Sequence, residues 1–145
     1  FLLSLLVIDD NDNLDYFLYK FNISKQNQKR MKIIDNFYKE KMTVNTFIEK
    51  NMNKVLYYHG KQAVLDILNL RIVKSKKINK TLIELSQTYR GKKIPSMPIS
   101  ADLLMKKYNI SEGKQLGQKL KTIEQIWVKN DFKISDQQVD NIINN

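Results

Sequence analysis

Ser100-Ala101-Asp102-Leu103-Leu104-Met105-Lys106-Lys107, then Asn109-Ile110-Ser111-Glu112-Gly113, then Lys114-Gln115-Leu116-Gly117-Gln118-Lys119-Leu120-Lys121-Thr122-Ile123-Glu124-Gln125-Ile126-Trp127 is the stretch that decides the fold. Leu116, Leu120, Ile123 and Trp127 recur at helical spacing. They predict a long helix from Lys114 to about Asn130 with one apolar face and a core tryptophan. Ser100 stands where a side-chain cap would open a short helix over Ala101–Lys107. The five residues between read as a tight turn ending in glycine. The unit is therefore two helices around a turn, with no alternation that would suggest a strand.

Outward from that unit the pattern stays helical. Ser135 is placed to cap a last short helix carrying Val139, Ile142 and Ile143. Upstream, Gly91, Pro95 and Pro98 break any helix, and Arg90, Lys92 and Lys93 charge the same stretch, so residues 90–98 read as a basic linker. Before it, Phe1–Ile8 reads as the end of a buried helix and Asp9–Asn13 as a polar break. Leu14–Phe21 is a short helix with Asn13 or Asp12 as cap. Ser24 caps a helix to about Lys41 with Met31, Ile34, Phe37 and Tyr38 on one face. Thr43 opens a helix through Val44, Phe47, Ile48, Met52, Val55 and Leu56, which Gly60 ends or kinks. Val64, Leu65, Ile67, Leu68, Ile72 and Val73 form a fifth helix, and Ile78, Leu82, Ile83 and Leu85 a sixth. The expected fold is all-α: an irregular bundle of about eight or nine helices. It divides into a helical body over residues 1–89, the linker 90–98, and a helix–turn–helix tail over residues 99–145.

Composition narrows the function classes. The chain has 145 residues with 4 glycines, 2 prolines and no cysteine. The last excludes disulfide frameworks and thiolate metal sites, and a single histidine excludes a His-cluster metal centre. The apolar start is too short to span a bilayer, and its flanking charges have the opposite polarity to a signal peptide. No membrane role and a cytoplasmic location are expected. The chain opens with Phe1 inside a helical pattern, so something is expected upstream, whether that boundary was imposed on the sequence or marks a natural piece of a longer or split protein.

The net charge is +10, from 25 basic and 15 acidic residues. The preference for Lys over Arg is what AT-rich coding produces. Glu codons are equally AT-rich, so coding does not explain the excess of bases over acids. The excess points to an anionic partner. It is unevenly placed. Residues 1–19 hold four acids and no base, whereas Arg71–Lys93 holds eight bases and one acid, Glu84. A charge run is by default a solvated helix face; the scarcity of compensating acids favours a phosphate-facing surface with Lys74, Lys76, Lys77, Arg90, Lys92 and Lys93 as contacts. A second contact is expected at Gly113, Lys114 and Gly117. A helix N-terminus offers unpaired N–H groups, and glycines let a phosphate backbone approach. The plainer reading is that both glycines serve turn geometry and packing.

Two further features have competing readings. Asp10 and Asp12 form an Asp-any-Asp pair that resembles a metal-binding carboxylate pair. They follow a helix rather than a strand and lack a preceding Gly-Ser loop, so they read as a solvated loop. His59 beside Tyr57 and Tyr58 reads either as a residue favouring a helix C-terminal dipole or as a stacking partner for a base.

The run Pro98-Ile99-Ser100-Ala101-Asp102-Leu103-Leu104, with Ile110-Ser111-Glu112-Gly113-Lys114-Gln115-Leu116-Gly117-Gln118-Lys119-Leu120, Ile123-Glu124-Gln125-Ile126-Trp127 and Phe132, resembles the C-terminal signature of bacterial CCA-adding tRNA nucleotidyltransferases and the related poly(A) polymerase-like proteins. Ala101 and Asn109 depart from glycines usual there. Ile23-Ser24-Lys25 and Leu56-Tyr57-Tyr58-His59-Gly60-Lys61-Gln62-Ala63 are looser likenesses. The resemblance implies a body-and-tail region that grips the elbow of tRNA. It implies that the catalytic head, which would use Mg2+ with CTP or ATP, lies elsewhere, even on a separate chain. The chain alone is then expected to hold no cofactor and to add no nucleotides. The alternative is a protein-interaction module or decayed fragment of such an enzyme without RNA binding.

Overall fold

A computed structural model describes residues 1–8, 13–39 and 47–144. Among them are eight helices and no strand, arranged as two compact units, Phe1–Ile94 and Pro95–Asn145. No helix among the described residues is long and apolar enough to cross a membrane.

The first unit holds α1 (Leu2–Val7), α2 (Asn13–Lys20), α3 (Lys25–Lys39), α4 (Glu49–Lys74) and α5 (Lys80–Gly91). Its centre is α4. Met52, Leu56, Val64, Ile67, Leu68 and Leu70 are all buried there, joined by Ile34 of α3 and by Leu82 and Tyr89 of α5. In its second half, Ala63, Val64, Asp66, Ile67, Leu68 and Leu70 bury more than one face, as expected of a helix packed on two sides. Each such Leu or Ile contributes about 1.5–3 kcal/mol of burial.

The expected fourth and fifth helices meet within α4 at a kink on Gly60, whose backbone is non-helical at φ 81 and ψ 174. A side chain there would meet nothing within 4 Å, so it is the backbone angle that calls for glycine. Asp66 is 2% exposed and is held from both directions. Arg30 Nε and Nη2 each donate to its carboxylate at 2.9 Å, and Gln62 Nε2 donates at 2.9 Å. This bidentate pair ties α3 to α4. Tyr38 donates its hydroxyl to Ile67 O at 3.3 Å. Its burial pushes the phenol pKa up, with the Arg71 guanidinium acting in the other direction.

Several local expectations change. α1 is a helix, but Leu2 and Leu6 are 75% and 81% exposed. Fewer than two turns can bury only one side, and that side carries Ser4. Ile78 lies outside α5 and is 85% exposed. Asn79 accepts from Leu82 N at 3.1 Å and starts the helix after it. At the other end, Arg90 and Gly91 belong to the last turn of α5 rather than to the linker. Asn13 starts α2. The polar break at residues 9–12, the expected end of α3 near Lys41 and the helix start at Thr43 lie outside the described residues.

The second unit holds α6 (Ala101–Tyr108), α7 (Lys114–Lys129) and α8 (Asp136–Asn144) around Leu104, Leu116, Ile123 and Val139. Ser100 accepts from Leu103 N at 3.2 Å. Ser135 Oγ accepts from Gln138 N at 3.3 Å while Gln138 Oε1 accepts from Ser135 N at 3.1 Å, a reciprocal capping box. Lys119 closes the far end of α8 by donating to Ile142 O and Ile143 O at 3.1 and 2.8 Å. Beyond α7 the chain turns through Asp131 and Phe132, both left-handed at φ 60 and 63. Phe132 N donates to Trp127 O at 2.8 Å, and the two rings meet edge to face at 4.9 Å. These contacts offset the roughly 1–2 kcal/mol that a left-handed non-glycine residue costs.

Candidate nucleic-acid interface

The turn between α4 and α5 brings several positive charges together. α4 ends at Ser75, whose hydroxyl lies 2.6 Å from Ile72 O and 2.9 Å from Lys77 O. This tight closure turns the chain outward, so Lys76, Lys77 and Ile78 are exposed before Asn79 starts α5. Arg71, Lys76, Lys77 and Lys80 line one open depression, and no carboxylate lines it among the described residues. Arg71 also sits 5.4 Å from the Phe47 ring. Four cations around a concave surface suit phosphate oxygens, because each is already exposed and carries little desolvation cost.

Sequence reasoning named Lys76 and Lys77 but missed Arg71 and Lys80. Asn79 was the signal that could have found Lys80. As a cap it folds the chain back, and the residue after it then faces the same depression.

The other predicted contacts divide into committed and open side chains. Lys74 donates to Ile8 O and stands 5.9 Å from the Tyr38 ring, so it helps to hold the N-terminal segment. Lys92 pairs with Glu49 and lies 4.8 Å from the Tyr89 ring. Tyr89 itself donates to Asn53 Oδ1 at 2.7 Å, so Lys92 covers a buried polar group. Arg90 is exposed, and its carbonyl accepts from Lys61 Nζ at 2.9 Å. Lys93 is exposed and has no ion pair among the described residues. Of the linker cations, Lys93 is the one most available to a ligand.

In the second unit, Gly113, Lys114 and Gly117 are all exposed. Gly113 is the N-cap of α7 at φ 154 and ψ −168, with no side chain capping the helix and no acid in its first turn. The backbone donors of that turn are therefore left to solvent or a ligand. Glu112, also exposed, is the neighbouring acid. A Cβ at Gly117 would meet nothing within 4 Å. Packing inside the unit thus does not require glycine at 117, while the backbone does require it at 113.

His59 is exposed and immediately precedes the kink at Gly60. Its ring is 6.5 Å from that of Tyr58. Trp127, at 2% exposure, is core. Asp10 and Asp12 lie outside the described residues. No protein-family model, no curated protein and no solved structure matches this chain.

Proposed function

We propose that the chain is an RNA-binding helical region that grips a folded RNA of the tRNA kind through its phosphates. The observation that carries this reading is the depression lined by Arg71, Lys76, Lys77 and Lys80, with no carboxylate lining it among the described residues, on a chain of net charge +10. Multiple lysines at one concave surface bind phosphates as point charges and release counterions. The uncapped start of α7 at Gly113 adds directed backbone donors. The resemblance of residues 98–132 to CCA-adding tRNA nucleotidyltransferases names the RNA and assigns the chain to tRNA 3′-end processing in the cytoplasm. On that reading, catalysis with Mg2+, CTP and ATP belongs to a head domain joined to this region or supplied by a separate chain.

A second reading, a protein-interaction module, is favoured by exposed apolar side chains at the N-terminal end, with Tyr16 at 66% and Tyr19 at 88% exposure. The two separate in one experiment. Labelled tRNA, a single-stranded RNA of equal length and polyglutamate are titrated with the purified chain by fluorescence anisotropy. The RNA reading expects tRNA to bind most tightly. Absence of RNA binding, or equal affinity for single-stranded RNA and tRNA, contradicts it. The same preparation is expected to add no nucleotide to tRNA lacking its 3′ end when given Mg2+, CTP and ATP.

A further inference from the structure

A cavity of about 440 Å3 opens between α3 and the first half of α4, within the roughly 300–1,000 Å3 of small-ligand sites. Asn36 and Phe37 line it from α3, and Lys54, Tyr58 and His59 from α4. Lys54 and Tyr58 are one helical turn apart on the same face, and His59 borders it. Ile67, from beyond the kink at Gly60, lines it too. Both halves of α4 therefore contribute to one concavity, and the left-handed glycine between them sets how they meet.

The lining combines three chemistries. Phe37, Tyr58 and His59 present aromatic rings, and Tyr58 is 54% exposed and so accessible. Asn36 carries an amide that can both donate and accept. Lys54 supplies one positive charge with no ion pair among the described residues. No carboxylate lines the cavity among the described residues. A purely apolar ligand would leave the amide and ammonium desolvated without partners. A sugar phosphate would leave the rings unmatched. A flat heterocycle with hydrogen-bonding edges and one phosphate matches all three.

We propose that this cavity holds one unpaired nucleotide, with the base against Tyr58 and His59, its edge at Asn36 and its phosphate at Lys54. The nucleotide is either free or a looped-out residue of an RNA, and the second source rests on the RNA-binding reading above. The site differs from the basic depression at residues 71–80, which no aromatic ring lines among the described residues.

The test titrates the full chain with adenosine, cytidine and their monophosphates, and with two RNA hairpins that differ by one unpaired bulge nucleotide. The double variant Tyr58→Ala/His59→Ala changes two exposed side chains, and Lys54→Gln removes the charge alone. The parent is expected to bind the monophosphates and to prefer the bulged hairpin. The double variant should lose about 5- to 100-fold for both, the scale of a lost base–aromatic stack, with the fully paired hairpin unaffected. Lys54→Gln should weaken the monophosphates but not the parent nucleosides. Monophosphate binding that is lost in the double variant, with neither hairpin bound, supports the cavity, makes its ligand a free nucleotide and overturns the RNA reading. Hairpin binding without bulge preference or monophosphate binding overturns the cavity alone. No binding of any probe overturns both, and undiminished binding by the double variant overturns the cavity.

Discussion

The α4–α5 turn and the start of α7 offer anions opposite kinds of purchase. At the turn, the Asn79 side chain caps α5 by accepting from Leu82 N, and Arg71, Lys76, Lys77 and Lys80 provide the attraction. At α7 no side chain caps the helix, and Lys114 is offset by its neighbour Glu112. One surface attracts by mobile charge, which salt screens. The other attracts by fixed backbone donors, which require close approach and a defined geometry. The two proposed contacts should therefore respond differently to substitution.

The largest effect should come from removing the mobile charge. Lys76→Ala/Lys77→Ala/Lys80→Ala is expected to lower the log–log salt slope of tRNA binding by about two to three, at roughly 0.7–0.9 per phosphate contact. Helical content by circular dichroism should stay normal, because all three side chains are exposed. A slope unchanged in this variant would remove the turn from the interface.

Gly113→Val should act next, through geometry. A branched residue at φ 154 costs on the order of 1–3 kcal/mol of local strain. It also obstructs the donors of α7. Trp127 is the single tryptophan and lies in the second unit, so its fluorescence in a urea titration reads that unit's stability. tRNA affinity should fall while the salt slope barely moves. A fall in slope matching the lysine variant would erase the contrast between the two contacts.

Gly117→Ala sharpens the same point. In isolation it should stabilise the second unit by about 1 kcal/mol, the helix-propensity gain of alanine over glycine, since its Cβ meets nothing. If an RNA strand presses there, binding weakens as stability rises. Unchanged binding would leave this glycine without an external role.

The smallest effects separate two adjacent lysines. Lys92→Ala should cost less than about 1 kcal/mol of stability, because its partner Glu49 is largely exposed, and should leave the salt slope alone. Lys93→Ala should leave the urea midpoint unchanged and lower the slope by at most one contact.

What the sequence revealed was local. Ser24, Ser100 and Ser135 each accept from the backbone N–H three residues on, at 3.4, 3.2 and 3.3 Å, because a cap and its helix are neighbours in the chain. The apolar stripe of Leu116, Leu120, Ile123 and Trp127 was equally plain. Ile78 is apolar yet lies outside α5, because Asn79 beside it caps the helix. What stayed hidden joins distant residues. Lys92 meets Glu49 from 43 positions away, and Arg30 meets Asp66 from 36. Charge alone could not tell a committed lysine from an available one, so Lys74 and Lys92 looked the same as Lys76 and Lys93. The cavity at Tyr58 and His59 likewise needs α3 to supply its second wall, and periodicity in one helix says nothing about its neighbour.

Phosphate binding by exposed lysines that have no ion pair among the described residues is the proposed basis of RNA binding. Its most direct test is the affinity of the parent chain for tRNA between 50 and 200 mM salt. The account predicts a steep linear fall of log affinity with log salt, corresponding to at least about four phosphate contacts at roughly 0.7–0.9 each. A flat response, or no binding at the lowest salt, would contradict it.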